Sequence, residues 1–232
     1  MTTAAREASI GPMEALITFQ DVSFTWPGGT GLAGVSFAVF PVDFVRVVGP
    51  SGAGKSTLLR LVARLEVPSA GSIRYRSTPV DALPPAQLRR RLALVQQTPT
   101  VVAGTVRENL LLPWAFAVNR ELPQPDDATL HQWLARVRLD GTRLDADALS
   151  LSVGQKQRLC LVRTLLTSPD ALLMDEPTSA LDAESRRVVE ELTEERNAAG
   201  VAVLLVTHTD YCPMDRAVRC LAVHDGRVEE VA

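Results

Sequence analysis

The sequence predicts an α/β protein built on a mostly parallel core sheet. Three observations carry that reading. Short, nearly continuous apolar runs of strand length stand at residues 44–48 (FVRVV), 171–175 (ALLMD) and 201–206 (VAVLLV), as strands buried on both faces do. Stretches of helical periodicity lie between them, and strand–helix alternation implies parallel strands with helices on the sheet faces. The opening residues have a different pattern, alternating apolar with polar, which suits a separate antiparallel sheet.

Taken in order, residues 15–24 (ALITFQDVSF) read as a first strand, the PGG at 27–29 as a turn, and GVSFAVF at 34–40 as its antiparallel partner. FVRVV runs straight into Gly49, and a first helix is expected from Lys55 to about Leu65. GSIRYR from Gly71 is another alternating strand, and LALV at 92–95 a short one. Residues 105–138 turn helical, interrupted at Pro113, Pro123 and Pro125, where the ring removes a backbone donor. A helix over 153–167 is stopped by Ser168-Pro169. After ALLMD comes an amphipathic helix over 183–199, ending at Gly200; VAVLLV follows, and the chain closes on a hairpin around Asp225-Gly226. The expected organisation is a flexible lead-in at 1–14 and one domain over 15–232, with a helical subdomain inserted at about 98–167.

Composition narrows the function. Of 232 residues, 46% are hydrophobic and 22% charged, the balance of an ordinary globular protein. The net charge of -3 gives no electrostatic case for nucleic acid, and the one basic run, Arg89 to Arg91, reads as a solvated helix face. No apolar run approaches the roughly 18 residues of a membrane span, and residues 1–14 lack the apolar core of a secretory signal. Cys160, Cys212 and Cys220 are scattered and odd in number, which fits neither a disulfide framework nor a metal cluster; Cys160 and Cys220 read as small core residues of a protein in a reducing compartment.

The chemistry begins at GPSGAGKST, residues 49–57. This is the P-loop pattern G-x-x-x-x-G-K-[ST], set between a strand and a helix. Gly49, Gly52 and Gly54, with Pro50, Ser51 and Ala53 between them, let backbone N–H groups converge on phosphate oxygens. The helix N-terminus adds its partial positive charge. Lys55 reaches the β- and γ-phosphates, Ser56 offers a hydroxyl to Mg²⁺, and Thr57 completes the motif. Asp175 and Glu176 end the strand ALLMD, where acids face the ligand crevice of a parallel sheet. Asp175 is placed to hold Mg²⁺ through its water shell and Glu176 to polarise the attacking water.

Between these motifs lies LSVGQKQRLCLVRTLL, residues 151–166. It resembles the signature sequence of the ATP-binding cassette family at Leu151, Ser152, Gly154 and Gln155. PTSALD after Glu176 resembles that family's D-loop from Ser179 to Asp182. His208 stands where the family has its switch histidine, and Gln97 in LVQQTP resembles the Q-loop glutamine, with Gln96 the runner-up. Trp26 lies where the family stacks an aromatic ring on adenine. The resemblance covers residues 15–231, every motif in order. It implies the P-loop NTPase fold of the cassette ATPases, with ATP and Mg²⁺ as cofactors, Mg²⁺ falling to Ser56, Gln97 and Asp175. It also implies a head-to-tail homodimer, or a paired cassette, in which Ser152, Gly154, Gln155 and Asp182 of one subunit meet the nucleotide of the other. Hydrolysis is then catalysed by Glu176 as general base with Gln97, His208 and Lys55.

One departure stands out: the first of the signature's two adjacent glycines is Val153 here. A β-branched residue disfavours positive φ, so Val is tolerated only if the position is the first turn of the helix. His131 and His224 belong to no motif and read as surface or core residues, and Trp114 and Trp133 as core of the helical subdomain.

With one cassette and no membrane span, the chain implies a separate integral-membrane permease. It would then be a cytoplasmic protein held on the inner face of the membrane, with the apolar VRENLLLPWAFAV (106–118) partly forming the permease's groove and mostly subdomain core. The signature and D-loop exclude a P-loop kinase, and the absence of coiled coils or zinc modules speaks against a non-transport cassette ATPase. The stretch QTPTVVAGTVRENLLLPW (97–114) and the PQPDD link resemble the short cassette proteins of the iron-export type. A lipid or lipoprotein exporter subunit and an amino-acid importer subunit are the alternatives.

Overall fold

The computed structural model describes residues 14–26, 29, 31–209, 211–213 and 217–231. The lead-in, except Glu14, and two residues of the PGG turn lie outside the described residues.

Strands β1 (Ile17–Thr25) and β2 (Gly31–Val39) pair antiparallel, as the alternation requires. With β4 (Ala70–Tyr75) and the two-residue β5 (Thr78–Pro79) they form a four-stranded sheet, order β2-β1-β4-β5. The apolar runs build the second sheet: β3 (Phe44–Val48), β6 (Leu92–Val95), β7 (Ala171–Asp175), β8 (Ala202–Val206), β9 (Val218–His224) and β10 (Arg227–Val231). Its order is β10-β9-β3-β8-β7-β6, parallel except for the antiparallel edge strand β10, which the hairpin at Asp225-Gly226 turns back.

Period-two alternation splits each parallel strand between two cores. Leu173, Leu204 and Val47 face α1 (Lys55–Val62), α2 (Pro85–Arg91) and the antiparallel sheet. Leu172, Met174, Val203 and Leu205 face α3 (Val106–Leu111), α4 (Asp127–Arg136), α5 (Val153–Leu165) and α6 (Ala183–Ala198). Val106, Leu110, Leu130 and Leu134 of the inserted helices share this second core with the sheet.

Several local readings change. Helix α1 ends at Val62, short of Leu65, because Arg64 takes a left-handed φ of 51° and Leu65 N–H closes back on the Arg60 carbonyl. The arginine triplet is no merely solvated face: Arg89 donates to the Ala63 and Arg64 carbonyls, Arg90 to the Val118 carbonyl, and Arg91 pairs with Asp170. Their guanidiniums tie α2 to three other segments. Trp114 and Trp133 are half-buried: Trp133 packs against the second core with Arg136 and Arg196 over its ring, whereas Trp114 lies outside both cores and its Nε1 donates to the Leu122 carbonyl. Cys160 is buried, Cys220 half-buried and Cys212 exposed, all three as free thiols. His131 and His224 are exposed. No helix among the described residues is long and apolar enough to cross a membrane.

Candidate functional site

Four loops leave the C-terminal ends of neighbouring parallel strands and meet at one cleft. They follow β3 (Gly49 to Gly54), β6 (Gln97), β7 (Glu176) and β8 (His208). Parallel strands present all their C-terminal ends on one side, so residues far apart in sequence converge there. A cleft of about 300 Å³ is lined by Trp26, Ser51, Gly52, Gly54, Lys55, Ser56, Thr57, Glu176 and His208.

The glycines of the first loop have separate physical reasons. Gly49 has φ 142°, and a Cβ there would stand 2.3 Å from the Val223 carbonyl oxygen. Gly54, at φ 109°, caps α1 without a side-chain bond, so the first-turn N–H groups stay open to an anion. A Cβ on Gly54 would press on Leu32 and on the Trp26 ring, which therefore closes over the loop. Pro50 and Ala53 shape the loop from behind: the Pro50 carbonyl accepts from Ala53 N–H, and Ala53 packs on the core. Lys55 is only 5% exposed, and its Nζ donates to the Gly49 and Pro50 carbonyls at 2.9 Å each. The loop thus holds the ammonium at the cradle, with neutral oxygens that a phosphate's charge outcompetes.

Across the cleft, Ser56 Oγ donates to Asp175 Oδ1 at 2.8 Å. Burial holds the Asp175 carboxyl above the usual carboxylate range; the Ser56 hydrogen bond opposes this and the neighbouring Glu176 charge adds to it. Such a carboxylate gains from a cation. A hydroxyl and a carboxylate oxygen side by side are the hard donor set that Mg²⁺ takes when phosphates and waters supply the rest.

Glu176 sits at φ 46°, a left-handed conformation that costs a non-glycine residue about 1–3 kcal/mol. Its N–H donates to the Val206 carbonyl, which holds it in place. His208 Nε2 lies 2.9 Å from one carboxylate oxygen, and Gln97 Nε2 lies 3.5 Å from the other. Gln97 Nε2 also donates to Ser179 Oγ at 3.1 Å, and that hydroxyl donates to the Glu176 carbonyl. Ser179 thus bridges the glutamine and the acid. Sequence reading placed it in the D-loop motif but gave it no role in the site, since nothing but the fold brings residue 179 to residue 97. The fold also separates the two glutamines: Gln97 turns its carboxamide to Glu176, and Gln96 gives its carbonyl to Gln157.

Ser152, Gly154, Gln155 and Asp182 lie away from this cleft, at the N-termini of α5 and α6. Ser152 Oγ accepts from Gln155 N–H and Gln155 Oε1 from Ser152 N–H, a capping box. Val153 opens the helix in its first turn, without positive φ and 54% exposed, so the valine costs the backbone nothing. A Cβ on Gly154 would stand 2.5 Å from Ser185 Oγ, so this glycine is demanded by helix packing. Asp182 does not reach the cleft of its own chain; its carboxylate accepts from both the N–H and the hydroxyl of Ser185 and caps α6.

Known proteins resemble this chain over most of its length. A family model described as ABC transporter matches residues 32–179. The "Probable iron export ATP-binding protein FetA" of Escherichia coli (strain K12) is 36% identical over 221 residues, 93% of this chain and 95% of that protein. The "Phosphonates import ATP-binding protein PhnC 2" of Haloarcula marismortui is 35% identical over 225 residues, 92% of this chain and 83% of that one. Among solved structures, cbiO1 of Clostridium perfringens, part of the ABC transporter complex cbiONQ, superposes with a TM-score of 0.76 at 23% identity, covering 93% of this chain and 87% of its own; at that identity the likeness concerns the fold. The glycine-rich loop, Glu176 and His208 line one cleft, and the chain belongs to the ABC transporter family as an ATP-hydrolysing ATPase subunit.

Proposed function

We propose that this chain powers metal export, most specifically of iron, through a separate multi-span permease at the inner face of the cell membrane. The observation that carries the substrate is the likeness to an iron-export ATP-binding protein over nearly the whole length of both chains. ATP sits in the cleft with its adenine on Trp26 and its phosphates on the N–H groups of residues 51–57 and on Lys55. Ser56, Asp175 and Gln97 would hold Mg²⁺, which when bound would offset phosphate charge. Glu176 takes a proton from the water that attacks the γ-phosphorus in line, the bond to the bridging oxygen breaks, and ADP carries that electron pair away. His208 and Gln97 report on the γ-phosphate because both touch the base. Ser152, Gly154, Gln155 and Asp182 of a second, head-to-tail subunit close the site from outside, their helix N-termini aimed at anionic oxygens.

A second cleft, about 470 Å³ and bordered by α2 and α5, supports the permease reading. Leu65, Leu112, Pro113, Phe116 and Val118 line it. Leu65 and Phe116 are 42% and 57% exposed, apolar surface that a docked helix would cover.

The test is transport. This chain, purified with the multi-span membrane protein that accompanies it, is reconstituted in vesicles with the ATPase outward. Adding Mg-ATP should drive iron(II) into the lumen, and a Glu176→Gln complex should not. ATP turnover without iron movement sinks the iron reading. Depletion of a lumenal phosphonate held by a substrate-binding protein would favour the importer reading that the Haloarcula relative suggests.

A further inference from the structure

Helix α5 begins at the signature-like residues and runs beneath the loop that carries Gln97. Along one side it presents Gln157, Cys160 and Arg163, three residues apart. All three reach that loop. Gln157 Nε2 donates to the Gln96 carbonyl at 3.1 Å, the Cys160 thiol to the Thr100 carbonyl at 3.5 Å, and Arg163 Nη2 to the same Thr100 carbonyl at 2.8 Å. The loop backbone is therefore pinned one residue before Gln97 and three residues after it.

Little else holds Gln97 in place. Its side chain is exposed and makes one well-formed bond, to Ser179, and one long contact, to Glu176. Beneath the loop lies a small cavity of about 60 Å³, lined by Gln96, Thr98, Thr100, Gln157 and Cys160. Across this gap, hydrogen bonds from α5 hold the loop backbone. Gln157 is 1% exposed, and its Oε1 has no partner among the described residues. A buried carboxamide so incompletely satisfied costs stability, which a purely structural residue at this position would avoid.

We infer that Gln157 and Arg163 are positioning residues for ATP hydrolysis: by holding the carbonyls of Gln96 and Thr100 they set the reach of the Gln97 carboxamide to Glu176 and Ser179. This rests on the role given to Gln97 above. A 3.1 Å hydrogen bond on an exposed side chain is lost once its backbone drifts by about half an ångström to an ångström. Neither Gln157 nor Arg163 touches the nucleotide, so both act through the loop alone.

Steady-state ATP hydrolysis by the full chain tests this, with Gln157→Met, Arg163→Ala and Arg163→Lys made alone and in a Gln97→Ala background. Gln157→Met should lower kcat about tenfold, with KM for ATP within about twofold and a thermal midpoint within about 4 °C of the parent. Arg163→Ala should act in the same direction, and Arg163→Lys, which keeps one cationic donor, should recover part of the loss. In the Gln97→Ala background all three should become nearly silent, because residues acting through one group are not additive. An equal loss in that background, or an unchanged kcat without it, overturns the proposal. If Gln157→Met does not fold, the Arg163 pair decides alone, since Cys160 still serves the Thr100 carbonyl. If Gln97→Ala by itself leaves kcat unchanged, the assignment of Gln97 fails first and the positioning role falls with it.

Discussion

Glu176→Gln separates proton acceptance from everything else Glu176 does. The two side chains are isosteric. The glutamine oxygen can keep the 2.9 Å contact with His208 Nε2, and the Gln97 carboxamide can rotate to offer its oxygen to the new amide nitrogen now 3.5 Å away. Both residues bear the φ of 46° at the same backbone cost, and the N–H bond to Val206 is unaffected. ATP affinity, Mg²⁺ binding and fold stability are therefore expected to survive. What disappears is the one carboxylate among the described residues lining the cleft, Asp175 being hydrogen-bonded to Ser56. Loss of a positioned general base costs on the order of a hundredfold or more in rate, roughly 2.7 kcal/mol or more of barrier. Single-turnover phosphate release measures the rate, and light scattering with ATP measures association, which should persist because the γ-phosphate stays. A variant that binds ATP normally and hydrolyses it within about tenfold of the parent would refute Glu176 as the base.

Three further outcomes follow from the geometry. Val153→Gly should change ATPase activity by less than about tenfold, or about 1.4 kcal/mol, because Val153 is an ordinary first-turn residue; a far larger gain would show the valine obstructing the second subunit's nucleotide. Gly154→Ala should destabilise the fold by about 1–3 kcal/mol, since its Cβ meets Ser185 Oγ at 2.5 Å in the Asp182–Ser185 cap; an unchanged thermal midpoint without nucleotide contradicts this. Asp175→Asn concerns a carboxyl whose pKa is raised by burial, so the folded state binds the proton more tightly than the unfolded one. Stability is lost as pH rises from the ordinary aspartate range through the raised pKa, and the cost persists at neutral pH. The variant should thus be the more stable at pH 7.5 without Mg²⁺, converge with the parent below about pH 4, and fail to gain stability from Mg-ATP as the parent does. Equal pH profiles of the two thermal midpoints would refute the desolvation argument.

Much of this was legible in the chain itself. The P-loop, the acids at the end of ALLMD and the positions of the strands are local patterns, since period-two alternation and glycine spacing mark them within short segments. The end of α1 was not, because a left-handed arginine leaves no mark in composition. Nor was the work of Arg89, Arg90 and Arg91, because a charged run looks alike whether its partners are water or the carbonyls of distant loops.

The sequence alone determined the inventory: a phosphate cradle at 49–57, acids at 175 and 176, a histidine at 208 and a helix opening at 152. Only the tertiary structure decided how they are joined. It turned the Gln97 side chain, not that of Gln96, to Glu176, set Ser179 between Gln97 and Glu176, made Asp182 a helix cap, and tied the Gln97 loop to α5 through Gln157 and Arg163. The reason is physical: residue types and short spacings encode local conformation and chemistry, but a hydrogen bond between residues 79 or 82 positions apart exists only once parallel strands bring their ends to one edge.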